Sequence, residues 1–481
     1  MLAGWVIGNP PFAGADEHSH YERVLGISQG VWIGKRARVP IPAGTVGPAR
    51  IQREWLNDAY RAVQVPSGLL LPHPDCNAGR PAIADGCVAD QRPFQTPVRV
   101  RDPVGNYQPE GYLAPALVVG FADNPWTADR YGRIATAIVC WLLIAIAVRR
   151  LWCDHIISLL GLSLALTPMA LFVNAIINPS GLEIVCSIAF CASSLALCRR
   201  DTSNPGDWAF FALTGALTAL SRTPGPVWVV LIVCIGAALG GGRRRAAAVR
   251  TRRRAALLSG LTVTAAIVAN RIWEARYGSQ LRLTASSFLA QLGPSVRRYP
   301  QVLAEEIGNF GSLDSPLALP LVVAWMVAGL MLVAPAVRHG TNRERCVLSV
   351  LVLLNPLFSI PFGAAFAAGS GFGLHGRHVL VLSAIVPLVA GEVLHRHRAR
   401  LSGLTLTSLC VGAPAVVGVV QVGAWLGNAR RQSVGMHGPL RFVSNSQWSP
   451  PWGWWPWIAT VLLGATLLAC AWAVGTTLRR V

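Results

Sequence analysis

Charged residues are scarce in this sequence. Asp, Glu, Lys and Arg make up 13% of its 481 residues, whereas soluble globular chains contain about 25%. Hydrophobic residues make up 53%, and the mean hydropathy is +0.45. This balance argues against an ordinary soluble protein and favours lipid as the solvent. We therefore expect an all-α integral membrane protein, folded as a polytopic helix bundle.

Acidic residues are the rarer charged class. The chain has 22 Asp and Glu against 42 Lys and Arg, which gives a formal charge of +20. Such an excess also occurs in nucleic-acid-binding proteins, but here the arginines form short clusters between apolar runs of membrane-spanning length. Membrane orientation explains them better. We expect membrane lipids, and no nucleic acid, as partners.

Motifs for nucleotide and metal chemistry are absent from the sequence. It has no Gly-Lys-Ser/Thr phosphate loop, no nucleotide-binding glycine fingerprint after a strand and no His-Glu-x-x-His zinc helix. It also lacks an internal repeat. These absences argue against the use of cytosolic nucleotide. The acids are too few to require a divalent metal.

Cysteine shows no metal-binding pattern. Nine of the 11 cysteines lie in or beside apolar segments, where cysteine behaves as a small hydrophobe. The other two, Cys76 and Cys87, share one polar loop that we place in an oxidising compartment. We therefore predict a disulfide between them.

Windows that are nearly free of charge predict eleven membrane-spanning helices. Two of them, 207–221 and 226–241, are short for a bilayer of ~30 Å and are interpreted as half-helices or tilted packing partners. The windows are 134–148, 156–177, 182–198, 207–221, 226–241, 255–273, 317–337, 346–362, 378–394, 403–425 and 457–477.

Arginine clusters occur in every second loop between these windows, as at Arg149-Arg150 and Arg199-Arg200. The positive-inside rule makes these loops cytoplasmic and the alternating ones, including 274–316 and 426–456, extracytoplasmic. The long first loop, 9–130, also falls outside. We expect a multi-pass protein of the plasma (inner) membrane.

The chain therefore divides into three parts. Residues 1–8 are too few to cross a bilayer at about 1.5 Å per residue, and we interpret them as the remnant of a first membrane segment. Residues 9–130 form an extracytoplasmic loop, and residues 131–481 form the helix bundle. Within the loop, Tyr21, Val24, Leu25 and Ser28 follow a helical spacing. This spacing predicts a surface helix that starts near Asp16 and lies along the membrane.

The acidic motif Asp16-Glu17-His18 lies at the start of that predicted helix. A carboxylate placed there and pointing into a cavity can act as a general base toward a hydroxyl. The alternative is structural: Asp16 caps the helix and Glu17 favours its positive end. From the residues alone, the cap is the better-supported reading.

Arg222 and Arg377 break the positive-inside pattern, because both fall in turns predicted to be extracytoplasmic. Arginine binds phosphate well, and ionisable residues near membrane depth are costly. Each could bind a phosphate, with help from His375, or could instead pair with a buried acid such as Glu183. A tryptophan cluster further along is typical of an aromatic belt. Its members are Trp448, Trp452, Trp454, Trp455 and Trp457.

Several short motifs, taken in order, resemble the membrane-protein family catalogued as domain of unknown function 2142. Each is weak alone, and their collinear order makes the resemblance specific. They are Pro10-Pro11, Asp16-Glu17-His18, Ile27-Ser28-Gln29-Gly30, Tyr107-Gln108-Pro109 with Tyr112, Asn178-Pro179, Gly311-Ser312-Leu313-Asp314 with Pro316, Gly376-Arg377 and Trp448-Ser449-Pro450-Pro451. Ser180 and His378 depart from the family pattern, which usually has Asp and Tyr there.

That family is similar to the GT-C superfamily of glycosyltransferases, which take sugars from polyprenyl-phosphate carriers. The resemblance places Asp16 in the catalytic acidic position, with Glu17 as its neighbour, and Arg377 in the family's Gly-Arg motif. On this basis we expect an inverting enzyme in which one or more of Arg222, Arg377 and His375 stabilise the donor phosphate. The resemblance also implies a lipid-linked sugar donor as co-substrate and a cell-envelope glycan or lipid as acceptor. Two alternatives stay open: a transporter or flippase of an envelope precursor, and a non-catalytic membrane scaffold.

Overall fold

The computed structural model describes residues 1–153, 155–199, 203–240 and 249–477, with side chains through residue 472. The described chain is a bundle of α-helices that carries a small, partly β-structured domain in its first loop. The helices are α1 Leu2–Ile7, α2 Glu17–Ser28, α3 Gly47–Ala59, α4 Gly86–Ala89, α5 Leu113–Ala116, α6 Pro125–Leu151, α7 Ile157–Ala165, α8 Pro168–Val173, α9 Pro179–Arg199, α10 Pro205–Ser221, α11 Gly225–Leu239, α12 Arg253–Tyr277, α13 Ala285–Ile307, α14 Leu319–His339, α15 Asn342–Ser370, α16 Leu380–Arg396, α17 Gly403–Thr407, α18 Ala413–Val434 and α19 Trp455–Thr477.

Seven helical segments of the described chain are long and apolar enough to cross a membrane. A run of apolar residues forms a helix there because lipid offers no partner to a free backbone N–H or C=O. The seven are Pro125–Leu151, Pro179–Arg199, Arg253–Tyr277, Leu319–His339, Asn342–Ser370, Gly403–Val434 and Trp455–Trp472. The protein is therefore polytopic, while the predicted number of eleven spans is not confirmed.

The four remaining windows explain the difference in number. Window 156–177 is split into α7 and α8, because Thr167 caps a new helix that begins at Pro168. The helices α10, α11 and α16 have 17, 15 and 17 residues. Each is short for a bilayer core of ~30 Å.

Helix α9 lies at the centre of the bundle. Its apolar window is 100% buried, against 22% for the corresponding window of α12. It packs against α6, α10, α11 and α16. Helix α9 has small and apolar residues on all of its faces, as a helix surrounded by other helices requires.

The first loop forms a domain with its own apolar core. Three antiparallel strands, β1 Lys35–Arg36, β2 Arg61–Val65 and β3 Val98–Asp102, form a sheet in the order β1-β2-β3. Helix α2 packs against this sheet and against α5. A second, two-stranded pair, β4 Asn309–Phe310 and β5 Ser315–Pro316, closes a turn of the bundle.

Helix α2 is not the surface helix that its spacing predicts. Tyr21, Val24 and Leu25 are at most 1% exposed, and they share a core with Val63 of β2 and Tyr112. The helix is buried because the loop folds over it from segments distant in sequence. Cys76 and Cys87 form a disulfide at the edge of this domain.

The chain's first helix and the tryptophan cluster meet inside the bundle. Trp5 of α1 is 1% exposed and packs at a tilt against Phe310, while Trp454 packs edge-to-face on Trp425 and Trp448. Trp448 and Trp454 are therefore core residues and not part of a belt. Trp452 and Trp455 are 82% and 70% exposed, as belt residues would be.

Candidate functional site

Asp16 occupies a conformation that disfavours most side chains. Its backbone is left-handed, with φ 57° and ψ 14°, and its side chain makes no capping hydrogen bond. A non-glycine residue in this region costs free energy and is held there by its surroundings. The capping role weighed for Asp16 does not occur, so its carboxylate is free for another partner.

That partner is Arg377, which donates a hydrogen bond from Nη2 to Oδ2 of Asp16. Arg377 also donates from Nη1 to the carbonyl oxygen of Ala15 at 3.3 Å. The two sides of the pair differ in exposure, with 6% of the Arg377 side chain accessible against 57% for Asp16. The buried guanidinium of Arg377 thus binds the accessible carboxylate of Asp16 from the protein side.

Arg377 and His20 lie close to Asp16, and the accessible surface around its carboxylate is called the recess. Burial is the largest influence on the pKa of Asp16 and raises it, yet more than half of the side chain remains accessible. The charge of Arg377, together with that of His20 once His20 is protonated at low pH, outweighs burial, and the net result is a pKa well below its usual value. Asp16 is therefore ionised at neutral pH and open to a molecule from solvent.

Gly376 explains how Arg377 reaches this position. A Cβ at residue 376 would lie 2.6 Å from the carbonyl carbon of Glu305, so only glycine allows the turn to approach α13 this closely. The Gly376 N–H donates to Oε2 of Glu305 at 3.0 Å. Glu305 therefore fixes the turn that presents Arg377. The glycine–arginine pair is one structural unit, since close packing of the first residue places the second.

Aromatic and histidine side chains of the first loop lie close to Asp16, beneath the accessible surface. His20 Nδ1 lies 2.8 Å from the Tyr112 hydroxyl. Burial lowers the pKa of His20 to about 3, so His20 is neutral at physiological pH. Burial is the largest influence on the pKa of Tyr107 and raises it, while the charges of Arg222, Asp16 and Arg377 also act on this pKa. Tyr107 and Tyr112 belong to the motifs that resemble the family, but the sequence indicated no role for them at the site.

Arg222 lies nearby but has its own carboxylate. It donates from Nη1 to Oε2 of Glu183 at 3.1 Å and to the Ser180 hydroxyl at 3.2 Å. Trp228 donates to the other oxygen of Glu183 at 2.8 Å. This is the buried-acid pairing that the sequence left open. Arg222 still contributes positive charge to the recess, because it acts on the pKa of both His20 and Tyr107.

His375 is the residue before Gly376 and lies beside Glu305. Its Nδ1 is 3.5 Å from Oε2 of Glu305, and 33% of the side chain is accessible. The chain therefore brings Asp16 and Arg377 into direct contact, whereas Arg222 and His375 lie beside Glu183 and Glu305.

Glu17 has a different environment from Asp16. It is fully buried and receives hydrogen bonds from Arg133 at 2.7 and 2.5 Å, from the Ile177 N–H at 3.0 Å and from the Gly14 N–H at 2.9 Å. Both of its oxygens are occupied. Arg133 also holds the carbonyls of Asn9 and Pro10. Glu17 and Arg133 thus fasten the turn that delivers Asp16, and sequence reasoning did not identify Arg133.

The motif Gly311 to Asp314 also has a structural partner. Asp314 pairs with Arg431 of α18 at 2.8 Å, and Arg431 pairs in turn with Asp85 of the first loop at 3.3 Å. These contacts clamp the first loop to the bundle.

Among the described residues, no group of three His, Cys, Asp or Glu side chains could hold a metal ion.

Comparison with known proteins gives one match. No curated protein matches the chain, and no solved structure matches it. The sequence profile of a family described as predicted membrane protein, domain of unknown function 2142, matches residues 1–367, about three quarters of the chain. The matched part contains the acidic turn around Asp16, α2 and the Gly311 turn, and it ends before Arg377. By this match, the chain belongs to the membrane-protein family of domain of unknown function 2142.

Proposed function

We propose that this protein is an inverting membrane glycosyltransferase that moves a sugar from a polyprenyl-phosphate carrier to a cell-envelope acceptor on the extracytoplasmic side. The observation that supports it best is the Asp16–Arg377 pair, in which an accessible carboxylate and a buried guanidinium share one recess. Transfer from a sugar phosphate needs one base and one cation at the reacting centre. This pair offers both.

Asp16 acts as the general base. The acceptor hydroxyl attacks the anomeric carbon, its proton passes to Asp16, and the bond from that carbon to the phosphate oxygen breaks with inversion. The polyprenyl phosphate leaves with the bonding electrons. The lowered pKa keeps Asp16 ionised before the reaction, and it fits a proton transfer that occurs late, when the attacking oxygen has already become acidic.

Arg377 serves the leaving phosphate. Two of its nitrogens donate to Asp16 and Ala15, whereas Nε is buried and has no hydrogen-bond partner among the described residues. A phosphate oxygen can satisfy that donor, and charge-assisted pairs of this kind are strong. A phosphate that draws on the charge of Arg377 also weakens its hold on Asp16. Donor binding would then make Asp16 a stronger base.

Arg222 and His375 act at longer range. Arg222 pairs with the buried Glu183, and His375 Nδ1 lies 3.5 Å from Oε2 of Glu305, so neither contacts Asp16 directly as Arg377 does. We assign to them a supporting field on the developing phosphate charge. Glu17 is placed in the same proposal as a positioning residue, because its oxygens already bond Arg133 and the backbone.

The test compares the wild type with Asp16→Asn in native membranes supplied with a panel of radiolabelled polyprenyl-phosphate hexoses and pentoses. Asn keeps the shape of Asp but cannot accept the proton, and general-base catalysis contributes roughly 10²- to 10⁴-fold. We expect transfer to fall by that factor. Asp90→Asn is the matched control, because Asp90 is exposed in the same loop, and it should transfer as the wild type does.

Two results would reject the proposal. Equal transfer by the wild type and the Asp16→Asn variant would remove Asp16 as the base. Absence of transfer by the wild type from every donor of the panel would remove the enzymatic function itself.

A transporter or flippase of a lipid-linked precursor is the second candidate, and the break between α7 and α8 favours it. Discontinuous helices with polar groups at the break are common in transporter sites. Here Thr167 bonds the carbonyl of Glu306 at 2.9 Å, and burial raises the pKa of Glu306 to about 8. Under this function, Glu306→Gln would abolish movement of a fluorescent lipid-linked sugar across proteoliposomes, with no sugar transferred in any arm.

A further inference from the structure

A charged cavity lies at the C-terminal ends of α9 and α16, whereas Asp16 lies near the N-terminal ends of the same helices, where Asn178 donates to the Ala15 carbonyl and Arg377 pairs with Asp16. The cavity has a volume of about 780 Å³ and is lined by the ends of four helices: α6, α9, α10 and α16. Four arginines line it, with Asp207 as the acid among its lining residues. They are Arg149, Arg150, Arg199 and Arg396.

The presence of some of these arginines in the cavity has a structural explanation. Helices α6, α9 and α16 end here, and cations near a helix C-terminus offset its partial negative charge. Arg199 donates to the Leu151 carbonyl at 2.9 Å, and Arg396 donates to the Leu239 carbonyl at 3.1 Å. Glu392 pairs with both arginines. These contacts use much of the hydrogen-bonding capacity of Arg199 and Arg396.

Arg150 differs from Arg199 and Arg396, because two of its buried N–H donors lack a partner among the described residues. Its side chain is 7% exposed, and Nη1 pairs with Asp207 at 2.7 Å. Its Nε and Nη2 have no hydrogen-bond partner in the described part of the chain. The Nη2 atom of Arg396 and the Nδ1 atom of His395 are also unpartnered. A buried guanidinium with unmet donors carries a large desolvation cost.

These observations point to an anion. Nε and one Nη of a guanidinium form the fork that binds two oxygens of a phosphate at once. Trp152, at the rim, is 51% exposed, which suits the interface between membrane and water. The arginine distribution predicts this end to be cytoplasmic, where anionic lipids and soluble phosphates are both available.

We infer that the cavity is a phosphate-binding site, in which Arg150 is the principal donor and Arg396 and His395 assist. The ligand carries a phosphate mono- or diester, either as the headgroup of an anionic lipid or as a soluble phosphate. The site is separate from the proposed transfer reaction and does not depend on it.

The test uses Arg150→Lys. Lysine keeps the charge that pairs with Asp207 but lacks the two unpartnered donors, so the fold is expected to persist. Arg254→Lys is the matched control, because Arg254 is exposed near the start of α12 and belongs to another of the arginine clusters. The full-length protein is placed in phosphatidylcholine nanodiscs, and its thermal unfolding is followed with added inorganic phosphate or with phosphatidylglycerol in the disc. Native mass spectra count bound lipids in parallel.

We expect the wild type and Arg254→Lys to be stabilised equally, and Arg150→Lys to bind about tenfold or more weakly, as loss of charged hydrogen bonds implies. Stabilisation by phosphatidylglycerol alone identifies a lipid headgroup, and stabilisation by inorganic phosphate identifies a soluble ligand. Equal stabilisation of Arg150→Lys and wild type would overturn the inference. So would the absence of stabilisation by both probes.

Discussion

Arg377 and Asp16 are 361 residues apart in the sequence and form an ion pair at the recess, with the arginine buried and the carboxylate accessible. The arginine holds the pKa of Asp16 below its usual value against a burial effect that alone would raise it. Removing the arginine should therefore let the pKa of Asp16 rise. The direction of that change tests the pair independently of the identity of the sugar.

Arg377→Gln should move the acid limb of the residual transfer activity to higher pH by about 1 to 3 units, the range that an adjacent arginine exerts on a carboxylate. The measurement is kcat/KM against pH. Arg298→Gln is the matched control, since Arg298 pairs with Glu305 beside the same turn. An unchanged acid limb in Arg377→Gln would show that Asp16 is not the titrating base.

Gly376→Ala should destabilise the turn that presents Arg377. The added methyl group would meet the backbone of α13, with the Val302 carbonyl oxygen at 2.6 Å, and overpacking of this kind costs about 1–3 kcal/mol. Gly373→Ala is the control, because its Cβ would meet nothing closer than Arg298 at 3.7 Å. Transfer activity and thermal unfolding should both fall in the first variant alone. Equal behaviour of the two variants would contradict the packing argument.

The membrane helices could be predicted from the sequence because hydropathy reports on lipid contact directly. Each apolar window coincides with one helix, with two exceptions. Window 403–425 covers α17 and the first part of α18, and window 156–177 contains a break that hydropathy does not register. The signal for that break is local: Thr167 before Pro168 is a capping residue followed by a proline suited to the first helical turn. Apolar composition on both sides concealed it.

The first loop and the recess could not be derived from spacing. The helical pattern of α2 indicated a helix correctly, but its burial depends on Val63 and Tyr112, which come from distant segments. In the same way, the arginine on Glu17 is Arg133, 116 residues away. Sequence reasoning found the acids and the exceptional arginines. It could not tell which arginine belongs to which acid, since that depends on how the helices pack.

His20 should make the stability of the protein depend on pH below neutrality. Its pKa is lowered in the folded state to about 3, so the unfolded chain binds a proton first as the pH falls through about 6.5. The stabilisation is present above that pH and is lost on acidification, by about 2 kcal/mol between pH 7 and pH 5. His20→Gln should lose this component. The measurement is the free energy of unfolding at both pH values, with the exposed His437→Gln as control; equal pH dependence in both variants would refute the assignment.

Glu17→Gln should unfold the acidic turn, although the residue neighbours the proposed base. Both carboxylate oxygens are fully buried on Arg133, and removing one charge of such a pair leaves the other unpaired at a cost of about 3–5 kcal/mol. Glu54→Gln is the control, because Glu54 pairs with Arg50 at the surface, where an ion pair contributes about 0–1 kcal/mol. Denaturant unfolding should separate the two variants clearly. If Glu17→Gln instead keeps wild-type stability and loses only transfer activity, Glu17 belongs to the chemistry and not to the scaffold that positions Asp16.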